Sequence, residues 1–186
     1  MRIKRLAFKI ALPAVVTLTL IYVVHRAKAE LADLHADQAS AAVAIGENKE
    51  AIREFHVAIR LNRRLHHARL ALASLYEQQG NHGSAMRVLK EGVQADRRSL
   101  LARHNLGAAH FYAGEYQDAL RAYEACVRLQ PRNPYWHTLV GRSCARLGDT
   151  ARALDEFEYV LKLDPDNVAA RRGLDVLLNA PQPPAS

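Results

Sequence analysis

The chain has little cysteine, few aromatic residues and almost no net charge over most of its length. Two cysteines among 186 residues cannot form a disulfide framework, and no Cys-x-x-Cys spacing is present. Aromatic residues make up 6% of the chain, which favours packed helices over a β-sandwich. Six of the 26 Lys and Arg residues precede Glu30, so the remainder carries 20 bases against 19 acids. This near neutrality argues against a nucleic-acid partner, because such proteins carry a basic stripe on the folded part.

Motifs that would indicate catalysis or metal binding are also missing. The sequence has neither a His-Glu-x-x-His zinc motif nor a Gly-x-x-x-x-Gly-Lys phosphate loop. The Gly141-Arg142-Ser143 segment falls in a predicted helix, whereas a nucleophile elbow needs a strand-to-helix turn. The nine histidines do not share helix faces at metal-ligand spacings. We therefore expect no enzyme activity, no catalytic residue, no cofactor, no metal site and no small-molecule substrate.

Residues 1–30 differ from the rest and predict an N-terminal transmembrane helix. Residues 10–24 are fifteen residues without a charge, and inclusion of residues 6–9 lengthens the segment to nineteen, with Lys9 near one end, where its long side chain can reach the headgroups. A membrane-spanning helix needs about 20 apolar residues, with a lower limit of about 17. The alternative is a cleaved signal peptide, because Ala27-Lys28-Ala29 has the small-x-small form of a cleavage site. The positive charges of Arg26 and Lys28 at that site favour an uncleaved signal anchor.

Flanking charges predict how this helix would be oriented. Four bases and the α-amino group precede the apolar run, whereas Arg26 and Lys28 follow it. The side richer in bases stays in the cytoplasm. The sequence thus predicts a single-pass protein of the inner (cytoplasmic) membrane. Its N-terminus would be cytoplasmic, and its domain over residues 31–179 would be periplasmic, that is, extracytoplasmic.

Four glycines recur at a period of 34 residues, at Gly46, Gly80, Gly114 and Gly148. Alanine follows each glycine by five residues, and alanine or glycine precedes each by seven. Nine residues after the glycines come Phe55, Leu89, Tyr123 and Phe157. The small residues let two helices approach closely, the glycine permits a tight turn, and the large residue fills the space between helix pairs. The period predicts a helix–turn–helix unit, repeated four times, that buries its apolar face on its neighbours.

This unit resembles the tetratricopeptide repeat. Residues 105–131 (NLGAAHFYAGEYQDALRAYEACVRLQP) are the closest copy, and Pro131 and Pro165 end the last two units. With the N-terminal segment, the resemblance implies an all-α fold: a transmembrane helix, an α-solenoid of four helix-turn-helix repeats (about 32–65, 66–99, 100–133 and 134–167) and a C-terminal capping helix over 168–179. It also implies a right-handed superhelix whose concave groove is lined by the first helix of each repeat. Residues 180–186 are predicted to be a disordered tail.

The first helices of the repeats carry the candidate binding residues. In the tetratricopeptide family, Lys and Asn side chains on these helices clamp a terminal carboxylate, and only Asn105 falls in a matching column here. The third and fourth repeats instead offer aromatic residues beside two arginines, which suit a partner segment with an apolar anchor and an acid. The predicted partner-binding groove comprises His104, Asn105, Ala108, Phe111, Tyr112, Tyr135, Thr138, Arg142 and Arg146. The alternative is that Phe111 and Tyr112 pack between helices.

The two cysteines, Cys126 and Cys144, fall in packing columns of neighbouring helices. Free cysteine commonly behaves as a small buried apolar side chain. A disulfide would be possible in an oxidising compartment if the two Cα atoms lay within about 7 Å. The sequence leaves both alternatives open.

Together these features predict a membrane-anchored scaffold or accessory subunit that mediates protein–protein interaction in a membrane-associated complex. Its partners would be other proteins, namely subunits of that complex, and the membrane through the N-terminal helix. The alternative is an assembly factor that captures exported polypeptides, similar to the repeat proteins of cytochrome maturation or pilus biogenesis. The two functions differ in the lifetime of the complex.

Overall fold

The computed structural model describes residues 2–179, with side chains from Val15 onward. All regular structure in these residues is α-helix, and the helices are α1 (Arg2–Ala44), α2 (Asn48–Leu61), α3 (His66–Gln78), α4 (His82–Ala95), α5 (Leu100–Tyr112), α6 (Tyr116–Leu129), α7 (Pro134–Leu147), α8 (Thr150–Leu163) and α9 (Val168–Leu178). The chain divides into two compact units, with the boundary between Val88 and Leu89 inside α4. The predicted all-α repeat fold is confirmed. The predicted tail, 180–186, lies outside the described residues.

Each periodic glycine forms the turn of a helix pair. All four glycines have φ between +71° and +81°, a left-handed conformation that glycine adopts without steric cost. At Gly148, backbone bonds run from Gly148 N to Ala145 O (3.2 Å) and from Asp149 N to Cys144 O (3.0 Å). These bonds satisfy carbonyls that the end of α7 would otherwise leave without a donor. The predicted role of the glycines in the turns is confirmed.

The core of the first unit is built from alanines on α1. Four of them, Ala32, Ala36, Ala39 and Ala42, are buried along one face of the helix. Residues at this spacing share a helix face, and their short side chains let α2 pack closely against α1. Phe55 of α2 is 2% exposed and fills the remaining space, together with Leu72 and Leu75 of α3.

The second unit uses aromatic rings against glycine backbone instead. Tyr123 and Phe157 hold the column of Phe55, and each is almost completely buried. A Cβ at Gly107 would lie 2.6 Å from the Tyr123 ring, and a Cβ at Gly141 would lie 2.8 Å from the Phe157 ring. Each ring therefore occupies the space that a side chain on the facing helix would need. This confirms the predicted pairing of small and large columns.

The predicted transmembrane helix over residues 1–30 is wrong. No helix in the described residues is both long enough and apolar enough to cross a membrane. The apolar run with described side chains covers residues 15–24, and the charged residues Arg26, Lys28 and Glu30 follow it. The side chains of residues 1–14, which formed the other part of the predicted anchor, lie outside the described residues.

Candidate functional site

The helices α5 and α7 carry the predicted binding residues and begin at side-chain caps. The Ser99 hydroxyl accepts a hydrogen bond from the Ala102 amide at 3.1 Å, at the start of α5. The Asn133 side-chain oxygen accepts one from the Tyr135 amide at 3.0 Å, at the start of α7. Caps of this kind satisfy amides at the helix end and contribute about 1 kcal/mol. Both helices therefore have well-anchored first turns.

Two arginines of α7 stack on aromatic rings of α5 and α6. The guanidinium carbon of Arg142 lies 5.2 Å from the centroid of the Phe111 ring, and that of Arg146 lies 5.9 Å from the same centroid. Arg146 also lies 4.4 Å from the Tyr116 centroid and donates a hydrogen bond to the Tyr116 hydroxyl. Cation–π contacts contribute about 0.5–1 kcal/mol at exposed sites. The rings therefore orient both guanidinium groups.

The charges of these two arginines are available to a partner. Arg142 and Arg146 are exposed, and among the side chains of residues 15–179 no ion pair involves either of them. Planar guanidinium groups bind carboxylates through two parallel charge-assisted hydrogen bonds. This part of the surface is therefore suited to an acidic side chain or a terminal carboxylate.

A second aromatic group lies at the start of α7. The Tyr135 hydroxyl is 2.8 Å from His104 Nε2, and the Tyr135 ring centroid is 4.8 Å from that of Trp136. Trp136 is buried and donates from Nε1 to the Gln130 side-chain oxygen at 2.9 Å. Burial raises the pKa of the Tyr135 hydroxyl. Tyr135 is still 48% exposed, so part of this residue can contact a partner.

Seven of the nine predicted residues lie at least partly exposed on α5 and α7. We call these seven the α5–α7 surface: His104, Ala108, Phe111, Tyr112, Tyr135, Arg142 and Arg146. The other two, Asn105 and Thr138, are 5% and 6% exposed, and the Thr138 hydroxyl donates to the Pro134 carbonyl at 2.9 Å. Tyr112 is 85% exposed, whereas Phe111 is half-buried beneath the arginines. Phe111 therefore packs partly between helices, as the alternative prediction had it, whereas Tyr112 does not.

The first unit has a different surface in the equivalent columns. Ser74 and Gln78 stand in the columns of Arg142 and Tyr112. A cavity of about 240 Å³ lies there, lined by Ser40, Val43, Phe55, Ala71, Ser74, Leu75 and Gln78. None of these lining residues is charged. Exposed arginines beside aromatic rings therefore distinguish the α5–α7 surface from the equivalent columns of the first unit.

The two cysteines are free and fully buried. Of the two alternatives, the buried thiol is thus confirmed for Cys126 and Cys144. Burial raises the pKa of the Cys126 thiol to about 11 and also raises the pKa of Cys144. Because the thiolate is the reactive form, both side chains pack as apolar groups and are poor nucleophiles.

The turn at Gly114 brings three ligand-type side chains together. His110 Nδ1 lies 2.5 Å from the Glu115 carboxylate, and the ligand atoms of His110, Glu115 and Asp118 lie within 4.8 Å of one another. Spacing rules for a single helix miss this group because the turn separates His110 from the other two. Asp118 also pairs with Arg121, and this acid lies in the first turn of α6, where it suits the helix dipole. The Asp118 carboxylate is therefore already paired with a cation.

Three residues near the α5–α7 surface were not predicted: Tyr116, Trp136 and His137. Tyr116 binds Arg146, and Trp136 supports Tyr135. His137 Nδ1 lies 2.6 Å from the Glu156 carboxylate of α8. The repeat period could have singled out His137, because the residues 34 positions before and after it, Arg103 and Arg171, are also basic.

Comparisons with known proteins identify the fold. No curated protein sequence matches the chain, but two family models of the tetratricopeptide repeat match residues 66–109 and 104–174. A structure of MamA protein is 22% identical, with a TM-score of 0.63 over 80% of this chain and 81% of that chain. YrrB, a TPR protein with an unusual peptide-binding site, is 18% identical, with a TM-score of 0.61 over 86% and 87%.

A third similar structure contains a bound peptide. The first TPR of Spaghetti (RPAP3), bound to the HSP90 peptide SRMEEVD, is 22% identical, with a TM-score of 0.54 over 62% of this chain and 91% of that chain. Identities at this level show a shared fold. The two family matches together cover residues 66–174, more than half of the chain, and the protein therefore belongs to the tetratricopeptide repeat family.

Proposed function

We propose that this protein is an interaction scaffold, a stable accessory subunit that holds a partner protein through its α5–α7 surface. Tetratricopeptide repeats bind peptides or other proteins, which supports an interaction role. The choice of this surface rests on the two arginines Arg142 and Arg146. Both are exposed, oriented by the rings of Phe111 and Tyr116, and without a carboxylate partner among residues 15–179.

The chemistry of the surface defines the partner segment. Arg142 and Arg146 are four residues apart and so lie on one helix face, where they can bind one carboxylate or two neighbouring ones. Tyr112 and Tyr135 offer exposed rings for an apolar side chain, and Tyr and Arg are enriched among residues that dominate binding energy. The peptide bound to the similar Spaghetti domain contains two Glu and one Asp. That composition supports the choice of an acidic ligand here.

The test is binding of synthetic peptides to the purified full chain, measured by fluorescence anisotropy. The probes pair one Leu or Phe with two Glu, and control peptides carry Lys in place of Glu. Replacement of Tyr112 and Arg142 together by Ala should weaken binding by about 2–4 kcal/mol, the scale of a binding hot spot, or about 30- to 1000-fold. The matched control replaces Ser74 and Gln78, which hold the same columns in the second repeat, and should bind as the wild type does.

Equal binding by the wild type and the Tyr112/Arg142 double variant would exclude the α5–α7 surface as the docking site. Equal binding of the Glu and Lys peptides would exclude recognition of acids. With the natural partner, a stable subunit should co-elute at fixed stoichiometry, whereas an assembly factor should exchange. The predicted extracytoplasmic location of residues 31–179 stays a prediction, and cell fractionation with an antibody against the chain would test it.

A further inference from the structure

An apolar stripe runs along the face of α1 that α2 does not cover. Steps of four and three residues alternate from Leu20 to Ala41 and join six apolar side chains, here called the α1 stripe: Leu20, Val24, Ala27, Leu31, Leu34 and Ala41. All six residues are exposed, and the three leucines and the valine are 43–62% exposed. Contiguous apolar patches on a protein surface mark interaction sites.

The opposite face of the same helix already packs within the first unit. Ala32, Ala36 and Ala39 are buried against α2. Consecutive residues of a helix are turned by about 100°, so Leu34 lies on the side of α1 away from Ala32. No helix in the described part of the chain covers the α1 stripe. Outer faces at the end of a repeat stack are normally polar, so this apolar face is suited to a partner.

The spacing of the α1 stripe is that of a coiled coil. Three full heptads place Val24 and Leu31 at position a, and Leu20 and Leu34 fall at position d. Apolar a and d positions over three or more heptads indicate a coiled coil, in which two helices bury these positions against each other. The remaining a position holds Gln38. A polar residue at a single a position fixes the register of the pair.

The charges beside the stripe favour a parallel pair of identical helices. Position g, on one side, holds Glu30 and Asp37, whereas position e, on the other side, holds Lys28 and His35. Charges at e and g set the orientation of a coiled coil. An antiparallel pair brings g against g, so that acids would face acids. A parallel pair brings g beside e, which sets Glu30 of one copy beside His35 of the other.

We propose that α1 pairs with α1 of a second copy of this chain in a parallel, two-stranded coiled coil. A β-branched residue at a with leucine at d favours two strands, as Val24 and Leu20 provide here. A lipid surface fits the stripe less well, because helices that lie on membranes carry Lys and Arg on the polar face. Between residues 27 and 41, α1 has three acids and one lysine. The proposal concerns other residues than the α5–α7 surface and does not depend on the proposed function.

Sedimentation equilibrium of the purified full chain measures this pairing. The wild type should sediment as a dimer. Leu34→Glu should raise the dissociation constant of the dimer by about 100-fold or more, because two leucines in each dimer lose their burial. Ser40→Glu is the matched control, since Ser40 is exposed on α1 outside the stripe, and this variant should remain a dimer. A monomeric wild type at high micromolar concentration, or equal dissociation constants for wild type and Leu34→Glu, would overturn the proposal.

Disulfide formation between copies tests the register and needs no charged substitution. Ala27→Cys and Ala41→Cys, made separately, each place a thiol at a d position, opposite the same residue of the second copy. Mild oxidation should link each variant into a covalent dimer. Asp33→Cys, exposed on α1 outside the stripe, should stay unlinked. The native Cys126 and Cys144 are buried and do not compete.

Three results of these experiments would contradict the parallel pair. Linkage of Ala27→Cys without linkage of Ala41→Cys, or the reverse, would indicate an antiparallel pair. Equal linkage of Asp33→Cys and the two stripe variants would show that the contacts are not specific. A monomeric chain that sediments with vesicles of phosphatidylcholine and phosphatidylglycerol would place the stripe on a lipid surface.

Discussion

The backbone of Gly141 lies against the ring of Phe157, so closely that a Cβ at position 141 would be 2.8 Å from the ring carbon Cε1. On its other edge the same ring faces Gly173 of α9, where a Cβ would be 2.5 Å from Cε2. Phe157 is 1% exposed. The ring is therefore buried and held between two glycine backbones.

Gly141→Ala should destabilise the protein. The new methyl group would force the Phe157 ring against Gly173, and overpacking of this kind costs about 1–3 kcal/mol. Urea unfolding followed by circular dichroism measures the change. Gly83→Ala is the control, because Gly83 lies in α4 with open space around its Cβ position. That variant should gain up to about 1 kcal/mol from helix propensity. Equal stability of Gly141→Ala and wild type would show that the ring can move aside.

Gly148→Ala should also lower the free energy of unfolding, for a different reason. Gly148 has open space around it, but its φ is +81°. A residue with a Cβ pays about 1–2 kcal/mol in that conformation. Asparagine tolerates it better, so Gly148→Asn should fall between wild type and Gly148→Ala in the same urea experiment. Equal free energies of unfolding for Gly148→Ala and Gly148→Asn would show that the turn does not depend on the left-handed backbone.

The periodic columns of the sequence predicted the repeats because each column has a local physical cause. Gly148 must adopt a positive φ, and Gly141 must leave room for Phe157, so both requirements restrict the residue type. The N-terminal segment had no such constraint. Apolar composition alone suggested a transmembrane helix there, and the structure does not support it.

The candidate site was predicted less completely than the fold. Helical spacing placed Arg142 and Arg146 on one face, but it could not show that Phe111 and Tyr116 lie beneath them. Those contacts join different helices, and their distances depend on how the helices pack. For the same reason, the burial of Asn105 could not be read from its column.

The buried thiol of Cys126 should make stability depend on alkaline pH. Burial raises its pKa to about 11 in the folded protein, whereas an unfolded cysteine titrates near 8.5. The unfolded chain therefore loses its proton first, and the stabilising contribution of the neutral thiol decreases as the pH rises from about 8.5 to about 11. Urea unfolding at pH 8 and pH 10.5 measures this loss. Cys126→Ala should reduce the difference between the two pH values.

Thiol labelling gives an independent check of the two cysteines. At pH 8 the folded protein should react slowly with a thiol-specific disulfide reagent, because Cys126 and Cys144 are buried and protonated. Two thiols should react quickly once urea unfolds the chain. Rapid labelling of the folded protein would contradict the assigned burial.

The ring of Phe111 should control how well the α5–α7 surface binds acids. Phe111→Leu keeps an apolar side chain but removes the π face on which Arg142 and Arg146 rest. Each cation–π contact is worth about 0.5–1 kcal/mol, so affinity for the acidic peptides should fall about 5- to 30-fold. Phe111→Tyr keeps a ring and should bind nearly as the wild type does.

Arg142→Lys tests whether the geometry of the guanidinium group matters in addition to its charge, because lysine keeps the charge but lacks the planar fork. It should weaken binding while preserving the dependence on salt. Since Phe111 is half-buried, Tm is measured for each variant so that loss of fold is not mistaken for loss of affinity. If Phe111→Leu folds and binds as tightly as wild type, the ring does not orient the arginines, and their charge alone accounts for binding.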